Sequence, residues 1–170
     1  MKMKQHALQL YDYHVWANKR LFDCVRELPQ AVYDQEIQSV FPSIAATFAH
    51  IYIVDTVWLG VMREDHFEDI QAASRKAAEA ANEKSIEEMK ALFAELSERY
   101  REFFDSQENL EKPMAPKHPA FGRLDTRLSE LIQHVVNHGT YHRGNITAMI
   151  RQQGHESVMM DYIMYLYEVE

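Results

Sequence analysis

The stretch HVVNHGTYHRGN, residues 134–145, sets His134, His138 and His142 four residues apart in a segment whose apolar spacing reads as helix. A neutral imidazole is a good ligand for zinc, nickel and related ions. On a helix, a step of four turns about 40° and climbs about 6 Å, so neighbouring histidines can share one ion at about 2.0–2.1 Å from each nitrogen. His134 and His142 are separated by about 12 Å of rise, so all three cannot. On a wheel that advances about 100° per residue from His134, His138 falls at about 40° and His142 at about 80°. Leu131 and Met149 fall at about 60°, Leu124 at about 80°, and Leu128 and Ile146 at about 120°. His138 and His142 are therefore expected at the centre of the buried face and His134 at its margin. Arg143, at about 180°, is expected outside the ligand stripe, in a surface ion pair rather than an anion site.

A third ligand must come from another element, and His50 is the best candidate. It lies in FPSIAATFAHIYIVDTVWLGVM, residues 41–62, sharing a helical face with Ala46, Val54, Val57 and Val61. Three histidines with an open fourth position describe a catalytic type of site, since structural zinc usually has four protein ligands. The zinc-protease motif H-E-x-x-H is absent, because position 139 is Gly. Spacing and sidedness alone leave two readings open, a metal site and a seam of hydrogen-bonded core histidines.

Other residues have plainer expectations. His14, inward beside Leu10 and Leu21, either packs in the core or lines a cavity and orients a ligand; His134 is a pocket candidate of the same kind. Cys24 shares a face with Leu21, Val25 and Leu28 and is expected as a small core residue. Trp16 and Trp58 read as core or interface aromatics. His6, His66, His118 and His155 fall at ends or in loops, and Glu87–Glu88 on a solvated face.

The elements that must position these groups are helical. Four long patterns run from about Lys4 to Leu28 before Pro29, from Pro42–Ser43 to about Arg63, from Ser85 through the phenylalanines 103–104, and from about Asp125 to Gln153 before Gly154. Ser85 and Glu88 have capping-box spacing. The acidic, alanine-rich connection after Arg63 suits a short or frayed helix, EKPMAPKHPAFGRL a loop or extended crossing, and SVMMDYIMYLYEVE a last short helix. Nothing reads as an alternating strand. The expected fold is all-α, a four-helix bundle with a short additional C-terminal helix, in one domain over residues 1–170.

Composition agrees: 170 residues suit one buried domain, and 46% hydrophobic residues with five Gly and five Pro describe a helical globule. The net charge of −8, without a basic cluster, argues against nucleic acid as the main partner. A single cysteine excludes an intramolecular disulfide and a cysteine-rich zinc site. Residues 41–62 are long enough for a membrane span, but His50, Asp55, Thr47, Thr56 and Pro42 dilute them, so a buried core helix is expected and no membrane role. The N-terminus has no signal-peptide pattern, and the expected location is the cytoplasm.

The segments YDYHVWANKRLFDCVRELP, SIAATFAHIYIVDTVWL, HVVNHGTYHRGNI and DYIMYLYE together resemble the DinB/YfiT-like superfamily of small metal-binding four-helix bundles. The resemblance covers almost the whole chain, and NH-x₃-HRG followed by a polar residue is its most specific part. It implies a divalent metal, zinc or nickel most often, on His50, His138 and His142, with water completing the shell, and a homodimer. Some relatives are thiol S-transferases that join low-molecular-weight thiols such as bacillithiol or mycothiol to electrophiles; other implied roles are a metal-dependent hydrolase and a non-catalytic stress-response protein. In a branch that isomerises maleylpyruvate one fourth-helix ligand is a carboxylate, whereas position 138 is His here. In the transferase role the metal would lower the pKa of a bound thiol.

Overall fold

The computed structural model describes residues 2–169, with side chains from residue 6 to 169. The described chain is all-α: α1 (Lys2–Arg26), α2 (Gln30–Asp34), α3 (Ile44–Met62), α4 (Phe67–Ala81), α5 (Ile86–Asp105), α6 (Leu128–Gln152) and α7 (Tyr162–Val169). The four long helices form a bundle in which α1 and α3 each pack against both α5 and α6; α4 lies on α3, and the short C-terminal α7 lies on α1.

Local chemistry sets the helix ends. Ser43 caps α3, its Oγ accepting the Ala46 N–H at 3.1 Å. The capping box of α5 forms: Ser85 Oγ accepts the Glu88 N–H at 3.3 Å, and Glu88 Oε2 accepts the Ser85 N–H at 3.0 Å. The Ser85 amide and hydroxyl, both donating to Glu88 Oε2, with help from Lys84, hold the Glu88 carboxyl down at about 2. At the far end of α6, Gly154 takes the left-handed φ of 81° that favours glycine and stops the helix.

The crossing before α6 contains four two-residue strands that the sequence pattern does not announce. They pair as β1 (Pro113–Met114) with β4 (Thr126–Arg127) and β2 (Lys117–His118) with β3 (Gly122–Arg123). Their use is to seat α6: the first amides of that helix, Leu128 and Ser129, donate to Lys112 O and Leu110 O at 3.1 and 2.8 Å. Glu130 accepts the Arg127 N–H at 2.9 Å. These bonds satisfy donors that a helix N-terminus otherwise leaves bare.

Four expectations need correction. The connection after Arg63 holds a full helix of 15 residues, because Ile70, Ala77 and Ala81 give it an apolar side for α3. The first helix stops at Arg26, two residues early, as the chain turns before Pro29. Leu124, placed on the buried wheel, lies outside α6 and is exposed. Cys24 is half-buried rather than core, and burial pushes its thiol up.

The core joins Phe22 of α1, stacked on Phe48 of α3 at 4.1 Å, with Phe93 of α5 edge-on to Phe22 at 4.9 Å. Helix α3 is long and apolar enough to span a bilayer. Here its buried face, with Ile44, Phe48, Ile51 and Leu59, forms the centre of the bundle.

Candidate metal centre

Helix α3 presents His50 across the seam to α6, which carries His138 and His142 one turn apart. Each of the three offers one nitrogen, and those nitrogens lie within 4.8 Å of one another. His50 Nε2 stands 3.1 Å from His138 Nε2, a contact in which one nitrogen carries the proton donated to the other. Around a tetrahedral ion with bonds of about 2.0–2.1 Å, ligand nitrogens sit about 3.3 Å apart, so little movement separates this pair from a coordinating one. The His142 ring centroid lies 4.5 Å from those of both His50 and His138.

The second nitrogen of His142 is also assigned. Its Nδ1 lies 3.1 Å from Asn145 Oδ1, which can only accept, so the proton is on Nδ1 and Nε2 keeps a free lone pair. His138 Nδ1 is buried without a protein partner. Burial, followed by the neighbouring histidines His142, His50, His134 and His14, holds the His138 imidazole down at about 3. Burial also lowers His50, and after it His142, while Asp55 pulls the other way; burial lowers His142 itself against Asn145 and Asp55. Near neutral pH all three are neutral, the form that binds a metal.

Solvent reaches this seam. His142 is only 5% exposed, whereas His50 and His138 are half-buried. Phe41, just ahead of α3, lies against His50 at 4.4 Å and His142 at 5.5 Å and closes one side. Beyond it an open groove of about 440 Å³ runs from His50 and Phe41 along the small residues Ala46, Ala49 and Ala78 to Asp34, Asn82, Glu83 and Lys84. His134 stands apart: it is exposed, tilted against the Trp58 ring at 4.4 Å, and outside the triad.

The wheel erred in its centre. The buried residues of α6 run from Leu131 through Leu128, Gly139 and Ile132 to Arg143 and Val136, an arc from about 60° to about 200° on that wheel. The histidines therefore lie toward one edge of the buried arc, as access from outside requires. Arg143, expected at the surface, is 2% exposed. Likewise, Val54, Val57 and Val61 beside His50 are half-buried, because α3 is apolar all round and its composition hides which side is inward.

Behind the histidines runs a buried polar chain that explains Arg143 and His14. Arg143 Nη1 donates to His14 Nδ1 at 3.1 Å and to Asn18 Oδ1 at 2.9 Å, while Nη2 donates to Thr140 Oγ1 at 2.9 Å. A guanidinium can only donate, so Nδ1 of His14 accepts and its proton sits on Nε2, which donates to Asp55 Oδ2 at 2.9 Å. The Asn18 amide nitrogen also lies 3.0 Å from that Nε2, and only this tautomer keeps both Asp55 and Arg143 as partners. Burial lowers His14, Asp55 opposes, and Arg143 adds to the lowering. Gly139 makes room: a Cβ there would stand 2.6 Å from His14 Nδ1 and 2.8 Å from Arg143 Nη1.

Sequence reasoning passed over Asp55, Asn18, Asn145, Phe41 and Gly139. Two carried a signal: Asp55 is the one formal charge in α3, and Gly139 is a costly residue in mid-helix.

Comparison with known proteins agrees with this architecture. A family model described as the DinB family matches residues 3–169. The protein named Protein DinB from Bacillus subtilis (strain 168) is 48% identical over 165 residues, which cover 97% of this chain and 96% of that protein. A bundle carrying a histidine triad compatible with metal binding, matched over nearly its whole length, places this chain in the DinB family.

Proposed function

We propose that His50, His138 and His142 bind one divalent ion, zinc or nickel, and that the centre serves the transfer of a low-molecular-weight thiol to an electrophile. The observation that carries the metal reading is the convergence of three neutral imidazoles from two helices, one with its tautomer set by Asn145. Nitrogen donors without thiolates suit zinc, nickel and their first-row neighbours. When bound, such an ion lowers the pKa of a coordinated thiol so that it attacks near neutral pH.

The chain's own residues do the rest. His50, His138 and His142 would hold the ion, and of the three His50 lines the groove. Phe41 keeps water from one flank of the triad. The far end of the groove, with Asp34, Asn82, Glu83 and Lys84, offers both signs of charge to a polar thiol headgroup. Cys24 belongs to α1 and is not among the residues lining the groove, so it has no part in this reading. A cytoplasmic homodimer is part of the proposal; Met159, Ile163 and Tyr167, exposed on and just before α7, are apolar surface that a second copy could cover.

The decisive experiment uses protein purified without a histidine tag. Wild type is expected to carry about one divalent ion per chain, and the triple variant His50→Ala, His138→Ala, His142→Ala none; equal metal in both overturns the assignment. Conjugation of bacillithiol, mycothiol, glutathione or coenzyme A to monobromobimane then tests the reaction. Turnover that survives metal removal overturns the transferase reading, and absence of turnover with every thiol favours a non-catalytic metal-binding role. Light scattering in solution reads the oligomeric state.

A further inference from the structure

We infer that a cavity between α1 and α5 binds a small, neutral aromatic molecule by one hydroxyl, which donates to the Asp55 carboxylate and accepts from Asn18. The cavity measures about 280 Å³, and none of His50, His138 and His142 lines it. Tyr11, Val15 and Phe22 of α1 and Phe93, Ala94 and Leu96 of α5 give it apolar walls. Asp55 of α3 joins His14 and Asn18 as its buried polar lining. Lys19 and Ala94 also line it and are exposed, so the cavity meets solvent there.

The hydrogen bonding of this polar lining is incomplete. The His14 proton sits on Nε2 and goes to Asp55 Oδ2, which leaves Asp55 Oδ1 buried without a partner. Asn18 Nδ2 lies 3.0 Å from the same Nε2, but a ring nitrogen that carries a proton accepts nothing. The Asn18 amide cannot be turned over either, because its Oδ1 accepts from Arg143 at 2.9 Å. A carboxylate short of a donor therefore stands beside an amide short of an acceptor, on side chains that are 3% and 5% exposed. Buried polar groups are rarely left in that condition, since each unmade bond is costly. A hydroxyl answers both, as one group that donates and accepts.

The walls decide between water and a larger guest. Water satisfies the polar end, but each molecule wants two to four polar partners, and the apolar walls offer none. An apolar cavity of about 150 Å³ already takes up benzene, so this one has room for a substituted ring. Tyr11, Phe22 and Phe93 suit such a ring by offset or edge-on contact. Neutrality follows from the charges present. Asp55 is already balanced through His14 by Arg143, and a further buried charge would be left unpaired.

The test is titration of the full chain with phenol and with anisole, followed by saturation-transfer NMR. The two share a ring, and only phenol has an O–H to donate. Phenol is expected to bind at least about tenfold more tightly, as one hydrogen bond to a charged group allows. Asp55→Asn can turn an amide donor toward the site in place of the carboxylate, and the preference for phenol is expected to vanish. Ala94→Phe adds a ring at an exposed position of the lining, so the fold is expected to hold while phenol binding is lost. Chelator-treated protein is expected to bind phenol as untreated protein does, which separates this cavity from the metal centre. Equal affinity for phenol and anisole in wild type, or an unchanged preference in Asp55→Asn, overturns the inference. So does phenol binding that survives Ala94→Phe or disappears with the chelator, and so does failure to bind either probe, which would leave a cavity that holds water only. If Asp55→Asn does not fold, the comparison of phenol with anisole and the Ala94→Phe variant still decide.

Discussion

Gly139→Ala is a small change with an unusual expected sign. In a helix interior, alanine is ordinarily better than glycine by about 1 kcal/mol, so propensity alone predicts a more stable protein. The structure predicts the reverse. The new methyl would overlap His14 Cε1 and press on His14 Nδ1 and Arg143 Nη1. A loose side chain would move aside, but this ring is 2% exposed and bonded at both nitrogens, to Asp55 at 2.9 Å and Arg143 at 3.1 Å. Overpacking a fitted core costs about 1–3 kcal/mol, and giving up a hydrogen bond to a charged group costs about 1.5–3 kcal/mol. After the propensity gain of about 1 kcal/mol is subtracted, either cost alone leaves a net loss of up to about 2 kcal/mol, and both together about 1.5–5 kcal/mol. In a chain of this length that lowers the melting temperature by about 2–4 °C per kcal/mol. The assay is thermal unfolding followed by circular dichroism, with Gly144→Ala as its partner. Gly144 lies on the same helix, and a methyl added there would meet nothing within 4 Å, so alanine should raise stability by up to about 1 kcal/mol. Equal stabilisation by both substitutions would refute the reasoning and with it the tight seat of His14 on α6.

Two further predictions concern the triad. Asn145→Ala removes the acceptor that fixes the His142 tautomer; Zn²⁺ affinity should fall about tenfold with the fold intact, as read by chelator competition and circular dichroism, and an unchanged affinity would show that the tautomer needs no such help. Acid should destabilise the chelator-treated protein in a defined window. His138, His50, His142 and His14 all have folded-state pKa values below the usual 6.5, so below that pH the unfolded chain takes up protons that the folded chain refuses. Their stabilisation is complete above 6.5 and is lost as pH falls from there toward the folded values, about 3 for His138. Each contributes at most about 1.4 kcal/mol per pH unit, less for the half-exposed rings. Urea midpoints at pH 7, 6 and 5 should therefore decline before most carboxylates titrate, and a flat profile over that range would contradict the neutral triad.

How far the sequence could be read depended on whether a helix has a polar side. The capping box at Ser85, the stop at Gly154 and the four long helices were legible because each has a local chemical cause. The convergence of His50 with His138 and His142 was legible because sidedness on α6 limited the choice and resemblance completed it. Helix α3 defeated the same logic: it is apolar all round, so nothing in its pattern says that His50 faces a half-open seam while Asp55 faces the core. Arg143 was misplaced because a buried arginine depends on partners 125 and more residues away, Asn18 and His14, which no local pattern contains.

Those distant partners explain how α6 holds its histidines in register. Each histidine of the triad on α6 is followed at once by a residue that engages α1: Gly139 after His138, and Arg143 after His142. Successive residues on a helix point about 100° apart, so ligand and anchor face different neighbours, α3 for one and α1 for the other. Turning α6 one way drives the Gly139 backbone into the His14 ring; turning it the other way stretches the bonds from Arg143 to His14 and Asn18. The helix is thus fixed in rotation from behind, at the two levels where its histidines meet His50 in front. A metal site built on rigid helices needs this kind of support, because its nitrogens must be held to within about 0.5 Å of their working positions. The pairing also accounts for a glycine in the middle of a 25-residue helix, where propensity alone would forbid it.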